Sequence, residues 1–137
     1  MKIKLSGILT PKDIKQRKIQ KHYIVEDKIY TVLRDLYCNE RESLKVLRFL
    51  SKTYKIKLYK ITFKKLENYL DGECFPNGNI EFDNTIDISL LTLIHEFTHL
   101  YTLQKTKRFS HDFIFKKIEK KICGEIVDKI HLRLILQ

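Results

Sequence analysis

The residues in this chain with an evident chemical use are His95-Glu96-Phe97-Thr98-His99. Histidines at i and i+4 of a helix lie on one face, so His95 and His99 can aim their imidazoles at a single point. Two imidazoles suit Zn²⁺, which binds histidine nitrogen at about 2.0–2.1 Å. Glu96 is one step around the same helix, beside a metal held there and not on it. From that position it can take a proton from an activated water and later deliver it to a leaving amine. A chance H-E-x-x-H is expected in roughly 1% of shuffled chains of this composition. Context also argues against chance. Leu90, Leu91, Leu93, Ile94, Phe97 and Leu100 surround the motif, and titratable groups set among such residues need a reason.

Catalytic zinc takes three protein ligands and keeps an open position. Three residues compete for the third place: His111, Glu119 and Glu125. Ile114, Phe115, Ile118 and Ile122 follow His111 at helical spacing, so His111 is expected to open the buried stripe of a final helix. Glu125 lies 14 residues beyond His111 on that stripe, roughly 21 Å along a continuous helix. Those two share a metal only if the helix breaks. Glu119 falls about 80° off the stripe. Tyr69 and Tyr101 have the chemistry to support a developing oxyanion, although packing is the simpler role for both. Nothing near Cys74 or Cys123 argues for a lowered thiol pKa.

The elements that must position these residues follow from periodicity and caps. Thr10-Pro11 reads as a helix start, with a basic helix to about His22. Asp27 to Cys38 reads as a second helix, with Ile29, Val32, Leu33 and Leu36 on one face. Asn39 and Glu42 have capping-box spacing for a third helix to about Tyr54. Its stripe is Leu44, Leu47, Leu50 and Tyr54. Ile56 to Phe63 is rich in β-branched and aromatic residues and reads as a strand. Pro76-Asn77-Gly78 marks a turn, and Leu70 to Asp83 reads as a hairpin with Ile80 and Phe82 on one face. Asp87 or Ser89 opens the motif helix, which runs to about Gln104. Ser110 is expected to cap a last long helix, broken near Gly124. This order predicts one α+β domain over residues 1–137, with a basic segment over 1–25 and the site-bearing core over 55–125.

Composition bounds the partners. The 137 residues are 43% hydrophobic and 32% charged with a formal charge of +10, a globular profile. Residues 1–25 carry seven Lys/Arg against one Asp, and residues 105–121 carry seven against two acidic residues. This balance allows a nucleic-acid partner, although a Lys- and Ile-rich composition is the simpler source of the charge. Cys38, Cys74 and Cys123 form no C-x-x-C pair and no even framework, as expected in a reducing compartment. The N-terminal apolar stretch is too short and polar for a signal peptide, and no apolar run approaches the roughly 20 residues of a membrane span. The chain therefore reads as cytoplasmic, soluble and without a membrane partner.

Residues from about Cys74 to Ile122 resemble the SprT-like and WLM metallopeptidases. The resemblance rests on Gly78-Asn79-Ile80-Glu81-Phe82, on Leu93-Ile94-His95-Glu96-Phe97-Thr98-His99, and on Ser110-His111-Asp112-Phe113-Ile114-Phe115. It implies a zincin-like domain that hydrolyses peptide bonds with one Zn²⁺ per chain, held by His95, His99 and His111, with Glu96 as general base. It implies an extended peptide substrate lying on an edge strand formed by Ile80–Asp83, and action on DNA-associated proteins. A second resemblance is to archaeal minigluzincins, latent enzymes with a glutamate third ligand, for which Glu119 and Glu125 are the candidates. A zinc-containing module that only binds protein or nucleic acid is the reading from a different class.

Overall fold

The computed structural model describes residues 26–136. The basic segment 1–25, including the helix expected after Thr10-Pro11, lies outside the described residues. Within them the chain forms an α+β domain. It runs α1 (Glu26–Arg34), β1 (Tyr37–Cys38), α2 (Glu40–Tyr54), β2 (Ile61–Lys64), β3 (Gly72–Cys74), β4 (Ile80–Asp83), β5 (Ile88–Ser89), α3 (Leu90–Thr106) and α4 (Phe113–Leu136). No described helix is long and apolar enough to cross a membrane.

Helix α1 buries Ile29 and Leu33 and stops at Arg34, short of the Cys38 expected from its apolar spacing. The tail of that pattern serves a ladder instead. The Leu36 carbonyl accepts from Leu90 N–H at 2.7 Å, and Tyr37 and Cys38 pair antiparallel with Ser89 and Ile88. Asn39 then caps α2 through the expected box. Its Oδ1 accepts from Glu42 N–H at 2.8 Å while Glu42 Oε1 accepts from Asn39 N–H at 3.0 Å. The buried face of α2 is Ser43, Val46, Leu47 and Leu50, rotated from the expected stripe. Ser43 is tolerated there because its hydroxyl reaches the Cys38 carbonyl at 3.5 Å.

The strand expected from Ile56 begins only at Ile61. Ahead of it, the side chain of Gln104 on α3 takes both polar groups of Lys57. Its Oε1 accepts from Lys57 N–H at 3.0 Å and its Nε2 donates to Lys57 O at 2.6 Å. That backbone is satisfied without a ladder. The β3–β4 hairpin falls where expected, turned at Gly78 with φ +92° and Gly78 N–H on Phe75 O at 2.8 Å. A Cβ at Gly78 would also lie 2.3 Å from the Tyr59 ring. Only glycine meets both demands.

The three-stranded sheet has the order β2-β4-β3, with β2 parallel and β3 antiparallel to β4. This corrects the expectation that Ile80–Asp83 forms an edge. β4 is central, because Ile61–Lys64 pairs with it residue for residue on the side away from β3. Its Ile80 and Phe82 are buried, and the strand is sealed on both sides. The edge beside α3 is β3.

Ser89 caps α3, its Oγ accepting from Thr92 N–H at 3.1 Å. Leu90, Leu93, Ile94, Phe97 and Leu100 are fully buried, making α3 the central helix of the core. α4 packs across α3 and α1 through Phe115, Ile122, Cys123, Ile126, Val127 and Ile130. It starts at Phe113 with Asp112 as its cap, not Ser110, since Asp112 Oδ1 accepts from Phe115 N–H at 3.0 Å. It also continues unbroken through Gly124, a single helical glycine costing only about 1 kcal/mol.

All three cysteines are buried. Burial pushes the Cys38 and Cys74 thiols up to about 12 from 9.0. Being raised in the folded state, they contribute stability that is complete below pH 9 and is lost as pH rises toward about 12. At pH 8, alkylation of Cys38 and Cys74 by iodoacetamide should therefore require denaturant, as peptide mapping would show. Ready labelling in plain buffer would contradict this burial.

Candidate metal centre

Helix α3 presents His95 and His99 one turn apart on the side that faces the start of α4. His95 is half-buried and His99 is buried. The short segment after α3 then returns His111 over them. His111 stands just before α4 and is exposed. One candidate ligand atom from each of the three residues lies within 4.8 Å of the others. His111 Nε2 is 3.0 Å from His95 Nε2 and 2.9 Å from His99 Nε2.

The loop that carries His111 is fastened at its neighbour. Asp112 caps α4 with one carboxylate oxygen and receives Arg108 Nη1 on the other at 2.9 Å. The Phe115 N–H first and the Arg108 guanidinium second hold this carboxyl below its usual range. In the first turn of α4, buried Phe115 packs against all three imidazoles. Its ring centroid lies 5.1 Å from that of His95, 4.4 Å from His99 and 5.0 Å from His111. The spacing from His111 to Phe115 thus has a packing reason.

The two glutamates that compete for the third place lie elsewhere. Glu119 Oε2 is 2.6 Å from His95 Nδ1, on the opposite side of the ring from the three converging nitrogens. The 80° offset counted from His111 does not apply, because His111 precedes the helix. Glu125 accepts from the Tyr54 hydroxyl on α2. Of the two tyrosines with the chemistry of an oxyanion donor, Tyr69 is fully exposed and Tyr101 stacks edge-on against Tyr54.

Glu96 is buried beside this group. Its Oε1 accepts from the Cys74 N–H of edge strand β3 at 3.1 Å. Burial pushes its carboxyl up to about 7, although His95 and the Cys74 N–H favour the ionised form. Burial and the adjoining imidazoles of His95 and His111 push His99 down to about 4. His95 is raised: burial opposes its charge, but the Glu119 hydrogen bond and the charges of Glu96 and Glu119 outweigh that.

Do these residues fit a metal? With Glu119 accepting from His95 Nδ1–H, His95 Nε2 is left with its lone pair toward the centre. His99 Nδ1 is buried with no hydrogen-bond partner among the described residues, so no contact at that nitrogen fixes its tautomer. A single proton on His111 Nε2 can serve only one of its two neighbours at a time. A cation serves all three. Nitrogens of a tetrahedral centre with bonds of about 2.0–2.1 Å stand about 3.3 Å apart, so the observed cluster needs only a slight opening. Exposed His111 leaves one side of the group toward solvent, which suits three protein ligands and an open position.

Several of these contacts escape sequence reasoning. Glu119 meets His95 across 24 residues, and Cys74 N–H meets Glu96 across 22. No local pattern marks either pair. Asp112 did carry a signal, an Asp three residues before Phe115 in cap position. Comparisons with protein-family models, with curated proteins and with solved structures returned no match.

Gly72 on β3 ties the sheet to this group. A Cβ there would lie 2.8 Å from the Phe82 ring and 3.3 Å from Glu96 Cγ. Gly72→Ala should cost about 1–3 kcal/mol by overpacking, read as a lowered urea midpoint at unchanged slope. An unchanged midpoint would mean that β3 does not pack closely on Phe82 and Glu96 as described.

Proposed function

We propose that this protein is a zinc-dependent peptidase of the SprT-like and WLM kind, with Glu96 as its general base. The observation that carries the reading is the convergence of His95, His99 and His111 Nε2 beside a buried carboxylate on the same helix. Imidazole ligands with an open side suit zinc among the common divalent metals. When bound, zinc would supply Lewis-acid polarisation of a scissile carbonyl and acidify water near neutral pH.

The protein's own groups divide the remaining work. The Cys74 N–H holds one oxygen of Glu96 and leaves the other available to take a proton from the attacking water and pass it to the leaving amine. β3 offers the sheet edge for an extended substrate. Phe75 N–H bonds Asn79 O just before β4, and Asp71 O accepts from Asp83 N–H within it, so by strand alternation both backbone groups of Gly72 and the carbonyl of Cys74 face away from β4, while Cys74 N–H is taken by Glu96. This supports main-chain recognition at β3 in place of the β4 edge. Exposed Lys107, Arg108, Lys116 and Lys117 flank His111 in the chain and favour an acidic substrate or one bound to nucleic acid. The minigluzincin arrangement has less support, because neither Glu119 nor Glu125 approaches the three nitrogens.

The test is cleavage of a mixed set of unstructured peptides, with new termini read by mass spectrometry, for wild type and Glu96→Gln at equal zinc content. Wild type should cleave, and the variant should lose about 10²–10⁴-fold. A chelator should abolish cleavage and added zinc restore it. Equal cleavage by both proteins would remove Glu96 as the base. Zinc-loaded wild type that cleaves nothing would favour the binding module.

A further inference from the structure

The last helix contributes a carboxylate to the metal centre without offering it as a ligand. Glu119 Oε2 lies 2.6 Å from His95 Nδ1, and the two side chains are only 15% and 34% exposed. Nδ1 and Nε2 leave an imidazole in divergent directions, so an oxygen on Nδ1 cannot also reach a metal on Nε2 of the same ring. Phe115 stands four residues before Glu119, on the same face of α4. Its ring meets His95 edge-on at 5.1 Å. His95 is therefore gripped twice by α4, by an aromatic edge and by a carboxylate one turn further on. His99 has no such polar partner at Nδ1 among the described residues. The orienting contact is specific to the ring next to Glu96.

We propose that Glu119 is a positioning residue of the metal centre, holding His95 in the Nδ1–H tautomer and in the rotation that aims Nε2 at the point shared with His99 and His111. The proposal rests on the metal reading above. It assigns to α4 a role in ligand orientation, and it separates that role from the ligand role the same residue would fill in a glutamate-liganded site. A carboxylate on the far nitrogen also makes the ring a stronger donor, and loss of such a partner typically costs 10–100-fold in metal affinity.

The experiment measures zinc affinity by competition with a chromophoric chelator, for wild type, Glu119→Gln and Glu119→Ala. Thermal unfolding of the metal-free proteins and the ¹⁵N-resolved Nδ1–H signal of His95 are recorded alongside. Glu119→Ala should bind one zinc about 10–100-fold more weakly than wild type and lose the Nδ1–H signal. Glu119→Gln keeps an acceptor oxygen without the charge, and should recover part of the affinity and the signal. Affinities within twofold of wild type in both variants would overturn the positioning role. Loss of zinc stoichiometry in both variants alike, with metal-free unfolding unchanged, would overturn it by making Glu119 a ligand. Wild type that binds no zinc would instead bring down the metal reading itself. Those outcomes are distinct.

Discussion

Three imidazole nitrogens within 4.8 Å of one another, with His111 Nε2 about 3 Å from each of the other two, present a charge problem that the rest of the site is organised around. Lone pairs do not share a point without a cation or a shared proton, and Glu119 takes the acceptor role at His95's other nitrogen. Everything that surrounds them acts to keep them converged. α3 provides two rings on one face and buries its opposite face in the core. Asp112 and Arg108 fasten the loop that returns His111. Phe115 packs against all three rings. The packing of α4 on α3 is thus the means by which the cluster is assembled.

Glu96 belongs to the same helix but answers to the sheet. Its backbone is set by α3, while its carboxylate is set by the Cys74 N–H, and Gly72 leaves room for its side chain where a Cβ would press on it. A buried carboxylate held by one donor retains an unbonded oxygen, which is what proton transfer needs. Because β3 is antiparallel and outermost beside α3, the group that holds Glu96 also belongs to the strand that an extended peptide could join. The position of β4 between two partners makes this division possible.

Much of this was legible in the residues. The H-E-x-x-H spacing located two of the three converging rings, and the helical pattern after His111 pointed back to the third. The Asn39–Glu42 box, the Ser89 start and the Gly78 turn were each marked by local chemistry that the structure uses directly. Three of the misses share a cause. Leu36 to Cys38 continue a helical apolar pattern, yet they form a ladder with residues some fifty positions away. Lys57 is claimed by Gln104, and β4 gains a second neighbour in β2. Each depends on a partner distant in the chain, and periodicity carries no information about distant partners. Glu119 is the sharpest case. It was weighed as a ligand candidate, but its contact with His95 Nδ1 was not foreseen, because the helix phase was counted from His111, which lies outside the helix.

The central claim is that His95, His99 and His111 hold one metal ion between them. The most direct test is elemental analysis of wild type and His111→Ala, purified side by side without added metal. About one zinc per chain is expected in the wild type, with most of it lost in the variant. Zinc near one per chain in both proteins would contradict it, removing His111 from the centre and returning the third ligand to another residue.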